Sequence, residues 1–393
     1  MADQPDHASV RLEPKWLHGT AVQKLISLFE HDTFRFVGGV VRNSLLGLPI
    51  SDIDCATTLL PDDVLALAKA GGVKAIPTGI DHGTVTLVIA GQPFEVTTLR
   101  CDVETDGRHA TVAFTESWQE DAARRDFTMN ALYMDYQGQV FDYFGGLADL
   151  KNRQVRFIGS PADRIAEDRL RVLRFFRFSG HYGTGPLDVD ALSAISQTSD
   201  ALSNLSSERV SMEWLKILTV SDEKLVYLLE SMESVGINPV SLINHQGIQA
   251  IQRAKDAETL SQPAVYRLGM LMLCTDSAAD TLAENLRLSK QQARLLKAVQ
   301  RAKKDLNDHK PLKETAYYHG VEAAYAAACT VGVDDQDILR WHVPIYPLNP
   351  ADLLAAGIDA GPDLGKRLKR AEQQFVQSDF SLTREDLLQI ALA

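Results

Sequence analysis

The spacing of apolar positions changes character near Asp149. Before it, short β-type runs alternate with helix-period segments; after it, apolar residues recur at helical spacing and strand signals become rare. Phe34-Arg35-Phe36-Val37 is an aromatic and β-branched run closed by Gly38-Gly39, and residues 40–46 then read as a helix ended by Gly47-Leu48-Pro49. A strand over 50–55 follows, then a helix over 61–70 that starts on Pro61, then a hairpin of 84–90 and 93–99 turning around Gly91-Gln92. Residues 101–121 are rich in charge, poor in apolar side chains, and predict a mobile loop. Ser206-Ser207-Glu208-Arg209 reads as the capped start of a helix, and Pro344, Pro347 and Pro350 mark a loop before the last helical segment. The fold class is therefore α+β, an α/β head followed by an all-α remainder.

The chemistry sits in the head. In Asp52-Ile53-Asp54, alternation along a strand points both carboxylates to one face and Ile53 into the core, the outline of a site for a hard cation such as Mg²⁺. Glu95, flanked by Phe94 and Val96 on the opposite face, supplies a third carboxylate if its strand lies beside the pair. Taken alone, a DxD is more often a strand-end turn or cap; its place after a glycine pair reverses the odds. Gly38 and Gly39 let backbone approach a ligand, the following helix start offers free N–H groups to a triphosphate, and Arg42 adds charge. Arg124 or Arg125 can bind phosphate, while Asp126 and Asn130, four apart on one helix face, can bond ribose hydroxyls. Asp168, Arg171 and Arg174 run along one side of a predicted helix whose Leu170, Leu173 and Phe176 face inward. A carboxylate there accepts from the exocyclic amine of cytosine or adenine, and a guanidinium donates to the neighbouring ring nitrogen. Uracil and guanine carry a carbonyl in place of the amine. The plain alternative for this last group is an intrahelical ion pair.

Four ordered segments carry a resemblance: Gly38-Gly39-x-x-Arg42 with Asp52-x-Asp54; Arg124-Arg125-Asp126-Phe127-Thr128-x-Asn130-Ala131; Asp142-x-x-Gly145-Gly146-x-x-Asp149-Leu150; and Glu167-Asp168-x-x-Arg171-x-x-Arg174. Together they resemble class II tRNA nucleotidyltransferases, the family of CCA-adding enzymes and bacterial poly(A) polymerases. The resemblance implies a polymerase β-like nucleotidyltransferase head over 1–147, a neck with the base-reading helix over 148–218, a body over 219–310 and an RNA-binding tail over 311–393. It implies Mg²⁺-dependent, template-independent transfer of CMP and AMP from CTP and ATP to a tRNA 3′ end. Asp52 and Asp54 are then the metal ligands, with Glu95 as the third catalytic carboxylate. The segment 101–121 is not shortened, which favours retention of A addition. The interval 78–84 lacks the arginine-rich stretch of the poly(A) polymerases, so CCA addition is preferred over poly(A) or A-only addition. A non-catalytic RNA-binding protein is the reading from another class, and the intact acidic residues speak against it. His31-Asp32, which alone suggests a phosphohydrolase, has no partner histidines and is incidental.

Composition alters little. With 393 residues, 45% hydrophobic and 23% charged, the chain has material for more than one core. A net charge of −12 opposes a nucleic-acid partner only in the sum. Basic runs at 287–304 and 366–370 offer Arg294, Lys297, Arg301, Lys366 and Arg367 to an RNA backbone, although each run taken separately reads as a solvated helix face. Cys55, Cys101, Cys274 and Cys329 are scattered, so neither disulfides nor a zinc site are expected. Without a signal segment or membrane-length apolar run, a cytoplasmic location is expected.

Overall fold

The computed structural model describes residues 10–105, 110–198, 202, 205–255, 257–333 and 335–393. It divides into two compact units, Met1–Leu205 with Val235–Ile237, and Ser206–Ser234 with Asn238–Ala393.

The first unit carries strands β1 (Phe34–Val37), β2 (Asp54–Thr57), β3 (Lys74–Gly79), β4 (Thr84–Ile89), β5 (Gln92–Thr98), β6 (Arg100–Thr105), β7 (Ala110–Phe114), β8 (Leu132–Met134) and β9 (Val140–Asp142). Its helices are α1 (Thr20–Ile26), α2 (Gly39–Leu46), α3 (Pro61–Ala70), α4 (Trp118–Ala123), α5 (Gly146–Lys151), α6 (Pro161–Glu167), α7 (Arg171–Tyr182) and α8 (Val189–Ser196). Seven strands form one sheet in the order β3-β4-β5-β2-β1-β8-β9, with β6 and β7 as a separate ribbon. Within the large sheet only β2 and β5 run parallel. That pairing sets Asp54 directly opposite Glu95. Phe34, Phe36, Leu87, Phe94 and Val96 are buried beneath it.

Helix α3 spans the residues its proline start predicts. The hairpin turns one residue earlier than expected, at Ala90-Gly91, because both residues take positive φ (51° and 82°), as a two-residue hairpin turn demands. Two expectations are corrected. Strand β2 begins at Asp54, not at residue 50, so Asp52 and Ile53 lie in the approach to it. The outward-inward alternation nevertheless extends back through them, since Asp52 and Asp54 are exposed while Ile53 is 7% exposed. The loop expected over 101–121 is instead the antiparallel ribbon β6–β7 followed by α4, whose Ser117 side chain accepts from Glu120 N–H. β-Branched Val103, Thr105, Thr111 and Val112 in the sequence favour that pairing over a loop. Part of the expected loop, residues 106–109, lies outside the described residues.

The second unit holds α9 (Ser207–Ile217), α10 (Asp222–Ser234), α11 (His245–Arg253), α12 (Pro263–Leu273), α13 (Ala279–Asn285), α14 (Lys290–Asn307), α15 (Leu312–His319), α16 (Val321–Thr330), α17 (Pro350–Ala355), α18 (Pro362–Gln377) and α19 (Arg384–Leu392). The Ser206 hydroxyl caps α9 as its sequence predicts, and the proline-rich stretch before Pro350 carries neither helix nor strand. No described helix is long and apolar enough to cross a membrane, and the four cysteines are free thiols.

Candidate active site

A cleft of about 540 Å³ opens in the first unit between the start of α2, the Asp52–Asp54 approach, the 125–130 segment and α7. Gly38, Gly39, Arg42, Asp52, Asp54, Arg125, Asp126, Asn130, Asp168, Arg171 and Arg174 all line it. Gly38 turns the chain at φ 69°, ψ −118°, a conformation that side chains avoid, and places the α2 N-terminus at the cleft.

The acidic edge crowds like charges. Although Asp54 is partly exposed, the protein around it removes enough water to raise its carboxyl above the ordinary range; Glu95 and Asp52 raise it further, and Arg125 opposes them. The Asp52 carboxylate accepts from the Ser51 hydroxyl at 2.8 Å. Among the described residues no three His, Cys, Asp or Glu side chains close into a metal cage. An open edge of carboxylate oxygens still fits a hard divalent cation such as Mg²⁺, which is held by one or two carboxylates and keeps positions for water and phosphate. Added positive charge would also relieve the repulsion at Asp54.

Facing that edge, residues 124–130 do not form the single helix expected of them. Helix α4 stops at Ala123, Phe127 is extended, and Thr128–Asn130 make one 3-10 turn. Asp126 and Asn130 therefore share no helix face, yet they meet directly, Asn130 Nδ2 donating to Asp126 Oδ1 at 3.0 Å. Burial works against the Asp126 charge, but Arg174, Asn130 and the Phe127 N–H hold its carboxyl below the ordinary range. Arg174 donates to Asp126 Oδ2 through Nε at 2.8 Å. The Arg42 guanidinium donates to Asn130 Oδ1 at 2.5 Å and to the Tyr182 hydroxyl at 2.7 Å, tying α2, the turn and α7 together.

The adjacent arginines separate. Arg125 faces the cleft, whereas Arg124 is absent from its lining and is bound to Asp121 and to the Arg100 carbonyl. Burial opposes the charge of Asp121, and Arg125, Arg124 and the Tyr133 hydroxyl overcome it, holding the carboxyl at about 2.

Asp168 and Arg171 also differ from the expected helix stripe. Asp168 ends α6 in an extended conformation (φ −148°), its side chain accepts from Leu170 N–H at 3.1 Å, and Arg171 opens α7. The break falls at Asp168, whose extended backbone ends α6 while its carboxylate takes the Leu170 N–H in the turn that leads into α7. Leu170, Leu173 and Phe176 are buried as predicted. The Arg171 guanidinium pairs with Glu167 and donates to the Arg124 carbonyl at 3.0 Å.

The third motif is a brace. Asp142 accepts from the N–H groups of Gly146 and Leu147, and Asp149 accepts from the Thr128 hydroxyl at 2.6 Å, fixing the turn that carries Asn130. Sequence reasoning missed Asn43, Ser51, Phe178 and Tyr182, which also line the cleft. The spacing Arg171, Arg174, Phe178, Tyr182 traces one face of α7 and was the available signal for two of them.

In the second unit, Arg294 and Arg301 are exposed on α14, while Lys297 pairs with Asp280 at 2.5 Å. On α18, Lys366 is exposed, but Arg367 pairs with Asp363 and donates to the Ala391 and Leu392 carbonyls, closing the end of α19.

Residues 34–156 match the family model of the poly A polymerase head domain. Over 389 residues the chain is 34% identical to the mitochondrial CCA tRNA nucleotidyltransferase 1 of Mus musculus, covering 93% of this chain and 88% of that protein. Over 396 residues it is 30% identical to the CCA-adding enzyme of Lacticaseibacillus paracasei, covering 96% of each. The crystal structure of the Bacillus stearothermophilus CCA-adding enzyme in complex with CTP superposes with a TM-score of 0.71 at 27% identity, over 95% of this chain and 97% of that one. A Thermotoga maritima CCA-adding enzyme complexed with tRNA shares the fold at a TM-score of 0.72 and 18% identity, over 97% of this chain and 96% of that one.

Proposed function

The chain belongs to the CCA-adding tRNA nucleotidyltransferases, and from that premise we propose that it transfers CMP and AMP from CTP and ATP to a tRNA 3′ end through the cleft lined by Asp52, Asp54, Asp168 and Arg171. The observation that carries this reading is the convergence on one cleft of an acidic edge, a glycine turn at a helix start, and both the Asp168 carboxylate and the Arg171 guanidinium. These are the parts needed for cation, triphosphate and base.

Asp52 and Asp54 hold Mg²⁺, with Glu95 completing the negative field across the β2–β5 pairing. When bound, the metal stabilises charge on the attacking and leaving oxygens of the displacement. The α2 N–H groups and Arg125 receive the triphosphate; Asn130, oriented by Asp126 and Arg42, faces the ribose. Asp168 accepts from the amine of C or A and Arg171 donates to the ring nitrogen. For this, Arg171 exchanges its present Glu167 and Arg124 partners for the base. A mispaired base leaves buried polar groups desolvated, which supports selection without a template. The four-part division into head, neck, body and tail, with Arg294, Lys297, Arg301, Lys366 and Arg367 as RNA contacts, belongs to the same reading.

The test incubates protein and Mg²⁺ with tRNA lacking its 3′ end and each NTP singly or mixed, with products read at nucleotide resolution. Addition of C, C and A that stops is expected; long A tails would establish a poly(A) polymerase, and addition only after supplied CC an A-adding enzyme. Asp52→Ala should abolish transfer while tRNA still binds, and unchanged turnover would remove the metal-site argument.

A further inference from the structure

Asp121 is 1% exposed, lies outside the cleft, and gathers donors from four residues. Its Oδ1 accepts from Arg124 Nε at 2.9 Å, Arg124 Nη2 at 2.6 Å and Arg100 N–H at 3.2 Å. Its Oδ2 accepts from Arg125 Nη2 at 3.1 Å and the Tyr133 hydroxyl at 2.6 Å. Tyr133, itself fully buried, also accepts from Arg125 Nε at 3.1 Å. The Nε–Nη2 edge of the Arg125 guanidinium is thus held from behind. The remaining nitrogen, Nη1, is directed to the glycine turn: a Cβ added at Gly38 would lie 3.6 Å from it.

We propose that Asp121, with Tyr133, is the positioning residue that aims Arg125 at the triphosphate and turns Arg124 away from it. One carboxylate accounts for the different fates of two adjacent arginines, since its two oxygens each take a different guanidinium. A flexible arginine gains ligand affinity when its fork is fixed before the ligand arrives, because less rotamer entropy is then lost on binding. The end of α4 supplies the geometry: Arg124 caps the helix and Arg125 N–H still bonds the Ala122 carbonyl, so the two lie three and four residues on from Asp121, the spacing at which side chains meet.

This inference rests on the proposed nucleotide site, and the experiment separates the two. Steady-state transfer is measured for wild type, Asp121→Asn, Arg125→Ala and the double variant, with CTP and with ATP, and each protein's thermal midpoint is recorded. Asparagine keeps the shape but turns an amide donor toward groups that already donate. About a tenfold rise in KM is expected, equal for CTP and ATP because the triphosphate is common to both, with kcat changed far less. In the Arg125→Ala background, Asp121→Asn should cost nothing further in kcat/KM. Additive losses, or a loss confined to one nucleotide, would overturn the proposal. Tyr133→Phe, which removes one hydroxyl and leaves the core filled, should show the same coupling to Arg125 at about threefold, and it carries the test if Asp121→Asn does not fold. Absence of transfer in the wild type would sink the nucleotide site itself, a result distinct from additivity.

Discussion

At the residue scale, the cleft is a set of charges whose neighbours decide their state. Asp121 gives a stability prediction with a definite sign. Its folded carboxyl titrates at about 2 against an ordinary 3.8, so its contribution is fully present above about pH 4 and is lost as pH falls toward 2. Nearly two units correspond to roughly 2 kcal/mol. Urea unfolding of wild type and Asp121→Asn between pH 5 and 2 should show the wild-type advantage shrinking by about that amount. A constant difference across the range would refute it. Asp52, Asp54 and Glu95 were legible in the sequence because alternation and flanking apolar residues announce which way a strand side chain points. Asp121 was not. Its partners Arg100, Arg124, Arg125 and Tyr133 come from a strand start, a helix end and the sheet, and no local spacing joins them all.

At the element scale, breaks between elements matter as much as the elements. Had 161–182 been one continuous helix, the Asp168 backbone could not be extended and its carboxylate could not take the Leu170 N–H in the turn before α7. Asp168→Ala and Arg171→Ala should each raise incorporation of U or G relative to C and A by about tenfold or more before transfer is lost, read from single-nucleotide extension products. Unaltered selectivity with reduced rate would assign both residues to structure alone. The brace under the 128–130 turn makes a second prediction. A Cβ on Gly146 would fall 2.3 Å from the Thr128 carbonyl oxygen, against backbone that cannot swing aside. Gly146→Ala should cost about 1–3 kcal/mol in urea unfolding and should lower transfer by displacing Asn130. Helix α3 and the β4–β5 hairpin followed from proline, glycine and periodicity. The β6–β7 ribbon did not, because its charged residues masked its β-branched ones.

At the scale of the whole molecule, a chain of net charge −12 meets a polyanion, so local basic surface has to outweigh the sum. Arg294 and Arg301, seven apart on α14 and both exposed, lie two turns apart along one stripe. Arg294→Glu with Arg301→Glu should weaken tRNA binding and flatten the plot of log affinity against log salt, its slope falling by about one for each phosphate the two arginines neutralise, with KM for the nucleotides unchanged. Filter binding at several salt concentrations would show this; an unchanged slope would release α14 from that role. Arg367 takes part in folding whatever else it does, since it closes α19. The sequence by itself determined the α/β head and helical remainder and the glycine turn, and it marked Asp52, Asp54, Asp168 and Arg171 as candidate site residues, because each is written in spacing along its own segment. Tertiary structure alone decided which arginine of the pair meets the cleft, that Asp126 and Asn130 bond across a turn, that Arg42 ties three elements together, and that Glu95 stands opposite Asp54. Those outcomes depend on packing between residues distant in the chain and on the need of buried charges for partners, and neither is encoded in local periodicity.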